Sequence, residues 1–208
     1  MHPRTFAEFE RICAARGAAG RVLEIGAVPC DETLLCLPSL RSATEKVGLN
    51  LDGPARWRDF EIVPGNANAM PFPNERFDVV VCNAVLEHDP FFWKTLAEIR
   101  RVTSPGGLVV LGAPGYTALP SAATPARAKR RLIGWLARVP GLSGVSWWLK
   151  STPTVEIHDA PGDYYRFTPQ AFREVLLEGL EDVEVGTILF PPVVVGAGRR
   201  PRPAGTRL

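Results

Sequence analysis

No apolar run in the chain approaches the roughly 18 residues that a membrane-spanning helix needs. The first residues carry Arg4, Glu8, Glu10 and Arg11, where a secretory leader would have an apolar core. Both absences point to a cytoplasmic protein. Cysteine is scarce: Cys13, Cys30, Cys36 and Cys82 form no C-x-x-C pair and have no histidine pair nearby. Disulfide scaffolds and zinc sites are thereby excluded, no metal is expected, and the four read as small apolar side chains. Histidine is limited to His2, His88 and His158. Acid is missing from the whole interval between Glu98 and Glu156, which holds Arg100, Arg101, Arg127, Lys129, Arg130, Arg131, Arg138 and Lys150, so the middle of the chain is its electropositive part.

What is present suffices for one cored domain: 208 residues, 46% hydrophobic and 22% charged. Short apolar runs alternate with amphipathic ones, the pattern of an α/β, doubly wound, mostly parallel sheet. Residues 5–16 have helical spacing with Thr5 as cap. Strands are expected at Val22–Ile25, Val47–Leu51, Phe60–Val63, Phe77–Cys82, Leu108–Ala113, Val183–Leu189 and Val193–Val195. They give seven strands in a Rossmann-like sheet that ends in an antiparallel hairpin turned by Pro191-Pro192. Phe77–Cys82 is apolar on both faces and belongs mid-sheet. Asp89 with Pro90 opens a helix whose stripe is Phe92, Leu96 and Ile99, and Ser104-Pro105-Gly106-Gly107 stops it. Thr168 and Pro169 open another helix that runs through Leu180.

Residues from about 114 to 165 interrupt the alternation and hold Trp135, Trp147 and Trp148, and they read as a lid or insertion within a domain spanning 1–198. The basic run from Arg127 to Arg131, followed by Leu132, Ile133 and Trp135, suits peripheral contact with an anionic membrane or an anionic substrate. A lid covering the active site is the preferred reading. No nucleic-acid module accompanies the charge. Residues 199–208, with Arg199, Arg200, Arg202 and Arg207, read as a flexible basic tail.

The first strand ends at Gly26, and the carboxyl edge of an open α/β sheet is where a nucleotide-like ligand lies. A nicotinamide dinucleotide is disfavoured, because the G-x-G-x-x-G fingerprint is absent. Four blocks, taken together, are more specific: Val22-Leu23-Glu24-Ile25-Gly26; Val47-Gly48-Leu49-Asn50; Gly65-Asn66-Ala67-Asn68-Ala69-Met70-Pro71-Phe72 with Phe77-Asp78-Val79-Val80; and Val85-Leu86-Glu87-His88 running to Glu98-Ile99-Arg100-Arg101-Val102 and Pro105-Gly106-Gly107. In order and spacing they resemble the class I S-adenosylmethionine-dependent methyltransferases, specifically the small single-domain type, from about residue 20 to residue 113.

The resemblance implies S-adenosylmethionine as cofactor. It places Glu24, Gly26 and Ala27 at the methionine end, Asn50 at the ribose, Asn66 and the backbone of Ala67 at the adenine edge, and Asn83 beside the sulfonium. His88 would stand at the mouth of the acceptor pocket. The implied activity is methyl transfer to a small-molecule, glycan or lipid-linked acceptor, with a hydroxyl preferred and the protein a monomer or homodimer. A hydroxyl acceptor must lose its proton, for which His88 and His158 are the candidate bases. Glu87 would be architecture if it paired with Arg100 or Arg101.

The chain departs from the family at Val28 and Cys30, where glycines are usual, and at Asn50 and Asn66, where acids are common. Asp52 can restore a carboxylate only if the strand end shifts. Charged hydrogen bonds contribute about 1.5–3 kcal/mol against about 1 for neutral ones, so weaker cofactor binding is expected. The same departures leave open the alternative of a catalytically degenerate scaffold on this fold.

Overall fold

A computed structural model describes residues 1–116 and 162–203, with positions 131, 135, 138, 154 and 156 as isolated additions. Most of the expected lid, His158, and residues 204–208 lie outside the described residues.

Helix α1 (Pro3–Ala15) turns Phe9, Ile12 and Cys13 inward. Its cap is His2 rather than Thr5: the His2 ring accepts from the Arg4 N–H, Pro3 takes the first helical position, and Thr5 is buried. β1 (Arg21–Ile25) leads into a crossover made of two short 3₁₀ turns, Leu34–Cys36 and Pro38–Leu40, in place of a long helix. Pro38 cannot continue a hydrogen-bonded ladder, and Leu34, Leu35, Leu37 and Leu40 are nevertheless fully buried, so the crossover covers the sheet without a regular helix. β2 (Glu45–Asn50), β3 (Ala55–Trp57), β4 (Phe60–Pro64) and β5 (Phe77–Asn83) follow. α2 (Phe92–Val102), β6 (Thr103–Pro114), α3 (Pro169–Ala171, continued by the π-helical Phe172–Leu176), β7 (Glu181–Ile188) and β8 (Val193–Arg199) complete the described elements.

The strand order is β3-β4-β2-β1-β5-β6-β8-β7. β4, β2, β1, β5 and β6 run parallel, and β8 is antiparallel to both β6 and β7, as the expected hairpin requires. The sheet has eight strands, not seven. The addition is β3, an edge strand antiparallel to β4. Its three residues are too short a run to announce a strand, and it is set by a tight turn at Arg58, whose φ is 50°. Ser104–Gly107, expected as a turn, lies within β6, where the pairing with β5 is irregular between Phe77 and Val79.

Two apolar clusters sandwich the sheet. Leu23, Ile25, Val80 and Cys82 face Leu96, Ile99 and Phe172, while Val22, Val79 and Val81 face Phe9, Ile12 and the crossover leucines. Two residues of the expected basic tail are fastened to the fold. Arg199 donates to the carbonyls of Gly106 and Arg16, and Arg200 donates to Thr103 O and pairs with Glu75, which ties both residues to the sheet.

Candidate functional site

Where the chain leaves the carboxyl ends of β1, β2, β4 and β5 it encloses an open cavity of about 500 Å³. Gly26, Asn50, Asn66, Ala67 and His88 all line it, so the expected site residues from four separate segments converge. Asn68, Val85, Asp89 and Phe91 line it as well and were not expected there.

Gly26 holds the turn out of β1. Its φ is +81°, and a Cβ there would stand 2.4 Å from Val85 Cγ2. No other residue fits without pushing Val85 into the opening. The amides of Gly26 and Ala27 both donate to Leu49 O, at 2.8 and 3.2 Å, which locks this turn to β2. Across the cavity Ala84, a non-glycine residue with φ 54°, redirects the chain after β5 and is tied to Gly112 O at 3.1 Å. A residue held at positive φ by its surroundings is a usual companion of a binding site.

Three expected cofactor residues stand elsewhere. Glu24 is buried at 4% exposure, and its Oε2 accepts from Thr33 Oγ1 at 2.6 Å and from the Leu35 amide at 2.9 Å. Burial pushes this carboxyl up from its ordinary value, opposed by the hydrogen bonds from Thr33 and the Leu34 and Leu35 amides. Glu24 therefore anchors the crossover and does not line the cavity. Asn83 points to the α1 face, where its Oδ1 lies 2.5 Å from where a Gly112 Cβ would be. The reason is common to both: side chains alternate along a strand, and Glu24 and Asn83 share the face of Val22 and Val81, opposite Ile25 and Cys82. Ala27 is fully buried and offers its carbonyl, which accepts from Asn50 Nδ2 at 2.7 Å. Asp52 lies beyond the end of β2, exposed and away from the cavity lining, so no carboxylate is restored at that point.

His88 lines the cavity with its Nδ1 against Gly162 O, so Nδ1 carries the hydrogen and Nε2 is the basic atom in the neutral ring. Nε2 is 3.9 Å from Glu87 Oε1. Glu87 makes no contact with Arg100 or Arg101, contrary to expectation: Arg101 pairs with Glu98, and Arg100 donates to Glu178 O. Glu87 is 1% exposed, its Oε2 has no hydrogen-bond partner among the described residues, and burial raises its carboxyl to about 7. Residues 163–166 close this wall: the Tyr164 and Tyr165 amides donate to Glu87 O, Tyr165 Oη donates to Pro90 O, and Arg166 forms a buried pair with Asp163.

Residues 33–111 match the family model described as a methyltransferase domain. Over 50 residues the chain is 42% identical to a demethylmenaquinone methyltransferase of Lysinibacillus sphaericus (strain C3-41), a match covering 24% of this chain and 21% of that protein. Over 96 residues it is 33% identical to an uncharacterized methyltransferase of Mycobacterium sp. (strain JLS), covering 43% of this chain and 37% of that protein. The chain thus spans well under half the length of these curated relatives. Among solved structures, the 1,6-didemethyltoxoflavin-N1-methyltransferase of Burkholderia thailandensis, with bound S-adenosylhomocysteine, superposes with a TM-score of 0.62 at 17% identity, covering 95% of this chain and 78% of that one. The N-methyltransferase NodS of Bradyrhizobium japonicum, also in complex with S-adenosylhomocysteine, gives 0.57 at 13% identity over 96% and 87%. At such identities the likeness concerns the fold. The chain has the fold of the class I S-adenosylmethionine-dependent methyltransferases, and its residues 33–111 match the methyltransferase-domain model.

Proposed function

We propose that the protein is an S-adenosylmethionine-dependent methyltransferase acting on a small-molecule acceptor. The observation that carries this reading is the Gly26 turn: a glycine whose Cβ would collide with Val85, opening onto a cavity lined by Asn50, Asn66 and Ala67. The residues suit the cofactor. Asn50 turns its Nδ2 to Ala27 O and donates one hydrogen there, which leaves Oδ1 to accept from a ribose hydroxyl. Leu49, Leu51, Ala67 and Phe91 supply apolar surface for a purine, and the Gly26 turn admits the methionine end. When bound, the cofactor supplies an electrophilic methyl group on a sulfonium sulfur.

The protein's own part is to align the acceptor and to accept its proton. A hydroxyl acceptor, glycan- or lipid-linked forms included, gives that proton to His88 Nε2, and the buried Glu87 beside it balances the imidazolium. His158, on a stretch outside the described residues, is the second candidate base. Relatives named for demethylmenaquinone and 1,6-didemethyltoxoflavin methylation support a small-molecule acceptor.

Calorimetry with S-adenosylhomocysteine tests the reading. Saturable binding by the wild type, lost by at least about 100-fold in Gly26→Val, is expected, since a valine there both strains the backbone and fills the opening. No heat at millimolar ligand would leave a fold that serves as a binding scaffold.

A further inference from the structure

Three asparagines line the cavity, and an asparagine presents a donor at one end of its amide and an acceptor at the other. Which end faces a ligand is ordinarily ambiguous. Here each amide meets a partner that has only one possible role. Asn68 Nδ2 lies 2.6 Å from Asp89 Oδ2, a carboxylate oxygen that can only accept. It also lies 2.8 Å from Thr95 Oγ1, whose own hydrogen goes to Asp89 Oδ2 at 2.7 Å. Both Asn68 amide hydrogens are therefore spent inward, and Oδ1 is its remaining polar atom.

Asn66 is oriented the opposite way. Its Oδ1 accepts from the Asn68 backbone N–H at 2.8 Å, a partner that can only donate, so Nδ2 and its two hydrogens remain. The two side chains sit two residues apart on one tight turn, closed by the Asn66–Ala69 bridge. The turn thus leaves a donor on Asn66 and an acceptor on Asn68, two residues apart on the cavity lining. The polarity at position 66 is the reverse of what an acid, common in the family at that position, would present, since a carboxylate can only accept.

We propose that Asn66 and Asn68 read the adenine edge as a donor–acceptor pair, Asn66 Nδ2 donating to N1 and Asn68 Oδ1 accepting from the 6-amino group. The inference rests on the methyltransferase reading and names the residues that give it base specificity. Adenine carries a donor at position 6 next to an acceptor at N1. Hypoxanthine carries an acceptor at position 6 and a donor at N1, so it would set like against like at both atoms. Thr95, fully buried on α2, and Asp89 are positioning residues, because they consume the Asn68 hydrogens and so aim its oxygen.

Calorimetry on the full chain with S-adenosylhomocysteine and with its inosyl counterpart, in which a 6-oxo group replaces the 6-amino group, tests the pair. The wild type is expected to prefer the adenosyl compound by about 10- to 100-fold, the range for a paired base-edge contact. Asn68→Ala reduces that ratio to below about 3-fold. Thr95→Val weakens adenosyl binding by about 3- to 10-fold, and Thr95→Ser restores it, a rescue that loss of packing alone would not give. Asn66 is exposed, so Asn66→Asp keeps the turn while replacing the donor by an acceptor, and adenosyl binding falls about 10-fold.

Unchanged or tighter adenosyl binding by Asn66→Asp overturns the assignment while leaving the methyltransferase reading in place. So does a wild type that binds both compounds equally. A wild type that binds neither compound overturns the cofactor reading itself, and the pair with it.

Discussion

The two edges of the parallel sheet are built from opposite chemistry. At the amino edge, Arg21 grips Asp78 through its backbone amide and two guanidinium nitrogens, Lys46 pairs with Asp59, Arg76 with Glu45, and Arg200 with Glu75. At the carboxyl edge the parallel strands end in Ile25, Asn50, Pro64, Asn83 and Pro114, none of them charged. β1 is flanked by one glycine at each edge, and the pair shows the difference. Gly20, with φ +89°, leaves room for the Asp78 carboxylate, whose Oδ2 would stand 2.5 Å from a Cβ there. Gly26, with φ +81°, leaves room for Val85 and the opening beside it. The first glycine lets the protein close an ion pair upon itself. The second keeps an opening lined by three asparagine amides, each half-committed to the fold and half left for a ligand.

If the carboxyl edge is organised from beneath by the crossover, removing its anchor should have the largest effect. Glu24→Ala strands the Thr33 hydroxyl and the Leu35 amide in a buried setting, and is expected to cost about 3 kcal/mol of stability, since each orphaned buried group costs about 1–3. Glu24→Gln, which keeps one acceptor, should fall between. Urea unfolding checks this. Loss of S-adenosylhomocysteine affinity at unchanged stability would instead put Glu24 at the methionine end, as the sequence resemblance implies.

Glu87 is the exception that sharpens the contrast, a carboxyl buried at the edge where the strands themselves end without charge. Its folded value of about 7 lies above the ordinary 4.5 because burial disfavours the charge; Arg166 opposes that rise and Asp163 adds to it. For an acid raised in the folded state, the stabilisation is fully present below 4.5 and is lost as pH climbs through about 7. The wild type should therefore lose about 3 kcal/mol relative to Glu87→Gln between pH 4 and pH 8. Urea melts of both proteins at the two pH values measure it, and parallel curves would mean that Glu87 is solvated or paired.

The edge chemistry also explains what the sequence made legible. Strand positions were readable because most are short apolar runs ended by a turn residue; Gly26 follows β1 directly, Asn50 ends β2, and Asn66 lies two residues beyond β4. Glu24 and Asn83 were placed at the cavity by the family resemblance alone, and β1 and β5, apolar on both faces, carry no pattern that tells which parity faces the opening. β3 and the two 3₁₀ turns of the crossover were invisible because each is only three residues long. The orientation of the Asn68 amide depends on Asp89, which lies 21 residues away in the chain and reads locally as a helix cap. It does act locally on the Phe91 amide, at 2.8 Å, ahead of a helix that begins only at Phe92.

The smallest effect is expected at the amino edge. Hydrogen bonds from Arg21 hold Asp78 down at about 2, from an ordinary 3.8. Both side chains are 37% exposed, so solvent screens the pair and its contribution is about 1 kcal/mol. For an acid depressed in the folded state that contribution is present above 3.8 and is lost as pH falls through about 2. Asp78→Asn should lower stability by about 1 kcal/mol at pH 7, and the gap should close on acidification toward pH 2. Its affinity for S-adenosylhomocysteine should equal that of the wild type, because the substitution lies at the opposite end of β1 from Gly26. A shift in that affinity of more than a few fold would mean that the two edges communicate along the strand, and the division of labour between them would fail.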